Sequence, residues 1–128
     1  MANNYCESST FIDIPAPLHH EAGMITDRIA GECEIEDGCF DVQTEMRPEG
    51  LLLTGEEYFN TSHAERLVRA LVEELDLPDP IIVTWAFWCS KPRPGEFGGG
   101  GFLVQKGKDT VWTDADNTLR NLIDIKQP

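Results

Sequence analysis

The sequence predicts an α+β fold: a two-layer sandwich in which a mainly antiparallel sheet of about four to six strands carries two long helices and a short C-terminal helix on one face. Three observations lead there. Ala64, Leu67, Val68, Leu71, Val72 and Leu75 recur at the spacing of a single helical face, which buries one stripe against a neighbouring layer. Several short runs instead alternate apolar and polar residues with period two and are joined by tight-turn residues, as in antiparallel hairpins. The elements follow as strand, helix, two strands, helix, three strands, helix. With 128 residues, the chain fits a single globular domain spanning 1–128, long enough to bury a core without disulfides or a structural metal.

Residues 10–14 alternate weakly and stop at Pro15, which predicts a first or edge strand. Leu18, Ala22, Ile25 and Ile29 then fall at helical spacing, with Pro17 near the start, Glu21 early, Arg28 late and Gly31 just past the expected end. Gly23 inside this helix costs about 1 kcal/mol relative to alanine. Phe40, Val42, Thr44 and Met46 alternate with Asp41, Gln43 and Glu45, predicting a strand with one buried face. Arg47-Pro48-Glu49-Gly50 suits a tight turn, and residues 51–54 supply the return strand.

The clearest helix follows, with capping-box spacing at Ser62 and Glu65 and a stop at Pro78 and Pro80. Residues 81–88 are β-branched and aromatic on both faces, as a central strand should be, with Ile81, Val83, Trp85 and Phe87 on one side. Residues 101–105 and 110–113 read as a hairpin around Lys106-Gly107-Lys108-Asp109. A short helix closes the chain, capped by Asp114, Asp116 or Asn117, with Leu119, Leu122 and Ile123 facing inward.

Charge divides the chain. Residues 1–80 hold 18 acidic and 4 basic side chains, a net of −14, whereas residues 81–128 hold 5 acidic and 6 basic, a net of +1, for −13 in all. Such a chain is repelled by nucleic-acid backbones and anionic membranes, so neither is an expected direct partner. It is attracted to basic surfaces, including those of proteins that themselves bind nucleic acid. Glu32, Glu34, Glu36, Asp37 and Asp41 are the acidic residues expected to meet such a partner; a solvated, solubilising face is the plain alternative. An exposed edge strand also offers a route to a homodimer.

The longest near-continuous apolar run, residues 81–89, is about half the roughly 20 residues of a membrane-spanning helix. MANNYCESST at the N-terminus has neither the basic nor the apolar region of a secretion signal, so the cytoplasm is the expected location. There Cys6, Cys33, Cys39 and Cys89 are expected as free thiols. The spacing of Cys33 and Cys39 fits neither a CxxC redox pair nor a common zinc pattern. No metal or cofactor is expected.

The stretch WAFWCSKPRPGEFGGGG, from Trp85 to Gly101, concentrates what remains. Its glycines lack a helix start to make a phosphate site, and neither GxxxxGK[ST] nor GxGxxG is present. Gly98, Gly99 and Gly100 still offer backbone amides for an anion or an incoming strand, alongside the plainer roles of a positive φ, a bulge or close backbone approach. Lys91 and Arg93 each precede a proline, which holds them on a stiff extended segment as a basic pair. Glu96 is placed to neutralise one of them. Trp88 shares its strand face with Ile82, Thr84 and Ala86. Beside Arg93 it is either a binding anchor or, more plainly, a ring buried under the long loop.

Catalytic patterns are sparse. His19, His20 and His63 form no HExxH and there is no serine elbow. Cys89 beside Lys91 is the one candidate thiolate, with a buried strand-end thiol as the ordinary reading.

That tryptophan–Cys-Ser-Lys-Pro-Arg motif followed by Glu-Phe-Gly-Gly-Gly, together with CESSTFIDIP and SHAERLVRALVEELD, resembles a family of small acidic bacterial and phage or mobile-element proteins. The resemblance spans most of the chain and implies context more than chemistry. Members of that family often carry an aspartate- and tryptophan-rich tail after the last hairpin, where this chain has Asp114-Ala115-Asp116-Asn117 leading into a helix.

Two functions follow as expectations. One is a non-enzymatic protein-binding module that docks its acidic surface on a basic nucleic-acid-binding complex of a host, in the manner of a DNA-mimicking anti-defence inhibitor. The other is a binder of a small anion, or an enzyme acting on one, using the loop from Cys89 to Gly101.

Overall fold

The computed structural model describes residues 4–126; the first three residues of the stretch read above for a secretion signal lie outside it. Among these residues there are six strands, β1 (Asn4–Asp13), β2 (Gln43–Arg47), β3 (Gly50–Gly55), β4 (Ile81–Cys89), β5 (Gly98–Val104) and β6 (Val111–Asp114), and three α-helices, α1 (His19–Asp37), α2 (Thr61–Glu74) and α3 (Ala115–Lys126). The strands form one sheet in the order β2-β3-β1-β4-β5-β6, and every neighbouring pair is antiparallel. The fold is therefore α+β, as the order of elements predicts.

The strand expected first or at an edge is the first in the chain but lies in the interior of this sheet, not at an edge. β1 begins six residues before the alternating run at Thr10 and pairs on one side with β3 and on the other with β4. Its first half, Tyr5-Cys6-Glu7-Ser8-Ser9, has no apolar alternation; it is held mainly by the ladder to β4, with β3 joining only from Ser8 onward.

Helix α1 also runs past its expected end at Gly31. Its left-handed cap is Gly38, with φ of 81°, whose amide donates to the Glu34 carbonyl at 2.9 Å. Only a residue without Cβ takes that conformation at low cost. The buried side of α1 continues through Ile29 to Cys33, so tertiary packing carries the helix through Gly31.

The β2–β3 hairpin forms as expected, closing at Arg47↔Gly50. The buried face expected for β2 is absent, since all five of its residues are exposed. Val42, which is buried, precedes the strand and packs into the core with the half-buried Phe40.

Helix α2 follows its period closely: Ala64, Leu67, Val68, Leu71 and Val72 are all fully buried. Its cap is Asn60, not Ser62, with Oδ1 accepting from the His63 amide at 3.1 Å. Glu65 instead accepts from the Thr110 hydroxyl at 2.7 Å.

The core lies between α1, α2 and one sheet face, to which Ile12, Leu51, Leu53, Val83, Phe102 and Val104 contribute. The β5–β6 turn is held against α2 by Arg69, which donates to the Gln105 carbonyl and to Thr110. Asp114 caps α3, with Oδ1 accepting from the Asn117 amide at 2.8 Å. The inward face expected of α3 is not inward: Leu119, Leu122 and Ile123 are 61%, 49% and 57% exposed. α3 continues directly from β6 and packs mainly on the β5–β6 margin of the sheet, which leaves these side chains exposed. Among the described residues no helix is long and apolar enough to cross a membrane.

Candidate functional site

The residues singled out by sequence fall into two regions. Glu32, Glu34, Glu36 and Asp37 lie on the last turns of α1, with Asp41 just beyond. Much of this charge is already committed to α2. Arg66 donates to Glu36 from both terminal nitrogens, at 2.7 and 3.2 Å, and reaches Glu32 at 3.5 Å. The Arg66 guanidinium holds the Glu36 carboxyl below its ordinary range, mainly through the hydrogen bond, and its own pKa is raised in return. One helical turn back along α1, Arg28 binds Glu74 of α2 through two nitrogens.

Asp37 accepts from Nε2 of the buried His63 at 2.7 Å, while Nδ1 of that ring accepts from the Asp41 amide at 3.2 Å. His63 is therefore the Nε2–H tautomer, with both nitrogens engaged. Cys39 donates its thiol proton to Asp41 at 3.3 Å. That bond, followed by burial and the surrounding carboxylates, raises its pKa and keeps it a thiol. A cluster of Cys39, Asp41, His63 and Asp37 thus has the membership of a catalytic group and the wiring of a structural one. Glu34 alone of the five acidic residues is exposed without a side-chain contact in this network.

The second region is the far face of the sheet. The helices cover the side bearing Val83, Trp85 and Phe102, with the Trp85 ring 6.0 Å from Phe102 and 6.2 Å from Trp112. Period two then places Ile82, Thr84, Ala86 and Trp88 on the opposite side, and all four are exposed. Trp88 is 37% exposed, so it is not buried under the loop; it stacks on Tyr5 with ring centroids 4.2 Å apart and donates from Nε1 to Glu7 at 3.1 Å.

At the other end of this face Phe11 lies opposite Leu52, and Leu103 lies between Ile82 and Val111. Phe11 and Ile82 both line one cleft between their strands. A row of apolar side chains thereby crosses five strands. The exposed members, Phe11, Ile82 and Val111, were not flagged in the sequence; the signal was present as apolar residues on both parities of β4.

The glycine run is not a loop. Gly98, Gly99 and Gly100 belong to β5 and pair with Phe87, Ala86 and Trp85. None has a positive φ. Their function is to make room: a Cβ on Gly98 would meet the Phe87 ring at 2.5 Å, and one on Gly100 would meet the Thr113 carbonyl at 2.7 Å and the Trp85 ring at 2.9 Å. Close approach, among the roles expected of these glycines, is thus the one observed.

Lys91 and Arg93 are exposed on the connection before β5, where the Arg93 amide donates to the Lys91 carbonyl at 2.8 Å. Among the described residues neither cation forms an ion pair, so Glu96 neutralises neither. One oxygen of the half-buried Glu96 carboxylate is buried without a hydrogen-bond partner. Cys89 is buried at the end of β4.

Among the described residues no three or more His, Cys, Asp or Glu side chains are grouped so that they could hold a metal ion. No protein-family model, curated protein or solved structure matches this chain.

Proposed function

We propose that this protein is a non-enzymatic protein-binding module that docks the uncovered face of its sheet on a basic protein surface. The observation that carries this reading is a six-stranded sheet with helices on one side and exposed Phe11, Ile82, Trp88 and Val111 on the other. Contiguous exposed apolar side chains on a sheet mark interaction surfaces. The aromatic anchors belong to the residue types that dominate binding energy.

Charge selects the partner. The chain carries −13 overall, and the bare face itself bears Glu7, Asp13 and Glu45 beside Arg47. Long-range attraction to a basic surface then speeds association and makes it salt-sensitive. In the phage or mobile-element setting that the sequence resemblance implies, the partner is a nucleic-acid-binding host complex, and the module is its inhibitor. The acidic end of α1 supplies steering charge more than contact, because Glu32, Glu36 and Asp37 are held by α2.

The small-anion alternative draws on the unpaired Lys91 and Arg93 but loses its cradle, since the glycine amides lie in a strand.

Affinity capture from a host extract, read by mass spectrometry, tests the docking face. The immobilised wild type is expected to retain basic proteins, with retention falling at least tenfold in a Trp88→Ser/Val111→Ser variant and on raising salt to roughly 0.5 M, where screening shortens to a few ångströms. Equal retention by that variant, with its circular dichroism unchanged, would overturn the reading.

A further inference from the structure

We propose that the cleft at one end of the uncovered face receives an arginine side chain of the basic partner as its anchor. This rests on the reading that the partner is a basic protein and adds where, and through which chemistry, it is gripped.

The cleft lies between the second half of β1, the start of β4 and the segment joining α2 to β4, and encloses about 380 Å³. The β1–β4 ladder runs from Asn4↔Cys89 to Ser8↔Trp85 and stops there, with the Ser8 hydroxyl donating to the Thr84 carbonyl at 2.6 Å. The cleft lies beyond that point. Phe11 and Ile82, at 40% and 64% exposure, supply apolar lining and belong to the row across the bare face. Pro78 and Pro80 add further apolar lining.

Two carboxylates stand at the rim, Asp13 and Asp79, both exposed and without an ion-pair partner among the described residues. The third carboxylate of the cleft, Asp76, is taken by Lys106. Asp79 precedes Pro80, which narrows the backbone conformations from which its carboxylate is presented.

An apolar lining with two free carboxylates at the mouth matches a side chain with an apolar stem and a cationic head. Arginine fits better than lysine. Its planar guanidinium stacks on an aromatic ring such as Phe11 and presents donors to two carboxylates at once, whereas an ammonium is a compact, strongly hydrated point charge. The site is also continuous with the proposed docking face, so one partner segment reaches both.

Blocked arginine, N-acetylarginine amide, titrated into the ¹⁵N-labelled full chain tests this directly, with N-acetyllysine amide and N-acetylnorleucine amide as comparisons. Saturable shifts are expected at the Asp13, Leu77, Asp79 and Ile82 amides, at least tenfold weaker for norleucine, weaker for lysine, and lost in Asp13→Asn/Asp79→Asn. Both aspartates are exposed, and single Asp79→Asn serves if the double variant loses dispersion. Shifts unchanged in the variants, spread without saturation over the acidic surface, or equal for norleucine would overturn the inference. If captured partners bind the Asp13→Asn/Asp79→Asn variant undiminished, the cleft falls and the docking face stands. If blocked arginine binds the cleft but no basic protein is captured, the docking face falls instead.

Discussion

On β4, Val83 is fully buried beneath the helices while Ile82, the next residue, is 64% exposed. The same contrast repeats on β3 and β1, where Leu53 and Ile12 are buried and their neighbours Leu52 and Phe11 face outward, half-buried and exposed respectively. Both faces are apolar in places, yet only one meets α1 and α2. On the covered face apolar residues are core, and the glycines of β5 are cut to the shape of Trp85 and Phe87. On the bare face equally apolar residues have nothing of this chain to pack on. Hydrophobicity alone does not distinguish the two; the layer above them does.

Mutation of matched pairs offers the strongest test of that contrast. Phe102→Ala on the covered face is expected to destabilise by about 3–5 kcal/mol and Leu53→Ala by about 2–5 kcal/mol, measured by urea unfolding. Ile82→Ala on the bare face is expected to fall within about 0.5 kcal/mol of wild type. Comparable losses on the two faces would break the comparison.

The glycines give a smaller and more local test. Gly100→Val drives a side chain toward the Thr113 carbonyl and the Trp85 ring, with an expected loss of about 1–3 kcal/mol. Gly23 in α1 has nothing within 4 Å of an added Cβ, so Gly23→Ala is expected to gain about 0.5–1 kcal/mol. A tolerated Gly100→Val would mean that the rings over β5 are loosely packed.

The acidic end of α1 gives the smallest effect. Arg66 and Arg28 hold Glu36 and Glu74 below their ordinary value near 4.5. A depressed carboxyl pKa contributes stability that is fully present above that value and is lost as pH falls below it toward the folded pKa. Thermal melts from pH 6 to pH 3 should therefore show a decline that is shallower in Glu36→Gln/Glu74→Gln. These groups are exposed, so the difference is modest and shrinks with salt. A difference indifferent to salt would instead indicate a buried charge elsewhere.

How much of this was legible in the sequence depends on where each element's information lies. The buried stripe of α2 could be read because its period is local and complete. The side of β4 that carries Trp85 was legible for the same reason. The first half of β1 was not, because its small and polar residues are held mainly by the ladder to β4, which no local pattern encodes. By sequence Gly31 reads as the helix end, and the continued burial of Cys33 with the pairing of Glu36 to Arg66 carries α1 on to Gly38. Ser62 has the spacing of a cap, but the backbone entering α2 places Asn60 in that position.

The candidate site divides in the same way. The sequence by itself determined the α+β class, the acidic surplus in residues 1–80, the placing of Lys91 and Arg93 each before a proline and the alternation that separates Trp88 from Trp85, since each depends on composition or on neighbours a few residues away. Only the tertiary structure decided that Trp88 is exposed, that the glycines form a strand, that Arg66 and His63 hold the acidic end of α1, and that Asp13 and Asp79 share a cleft. Those facts depend on which distant segments meet, and that is set by how the sheet and two helices share one core.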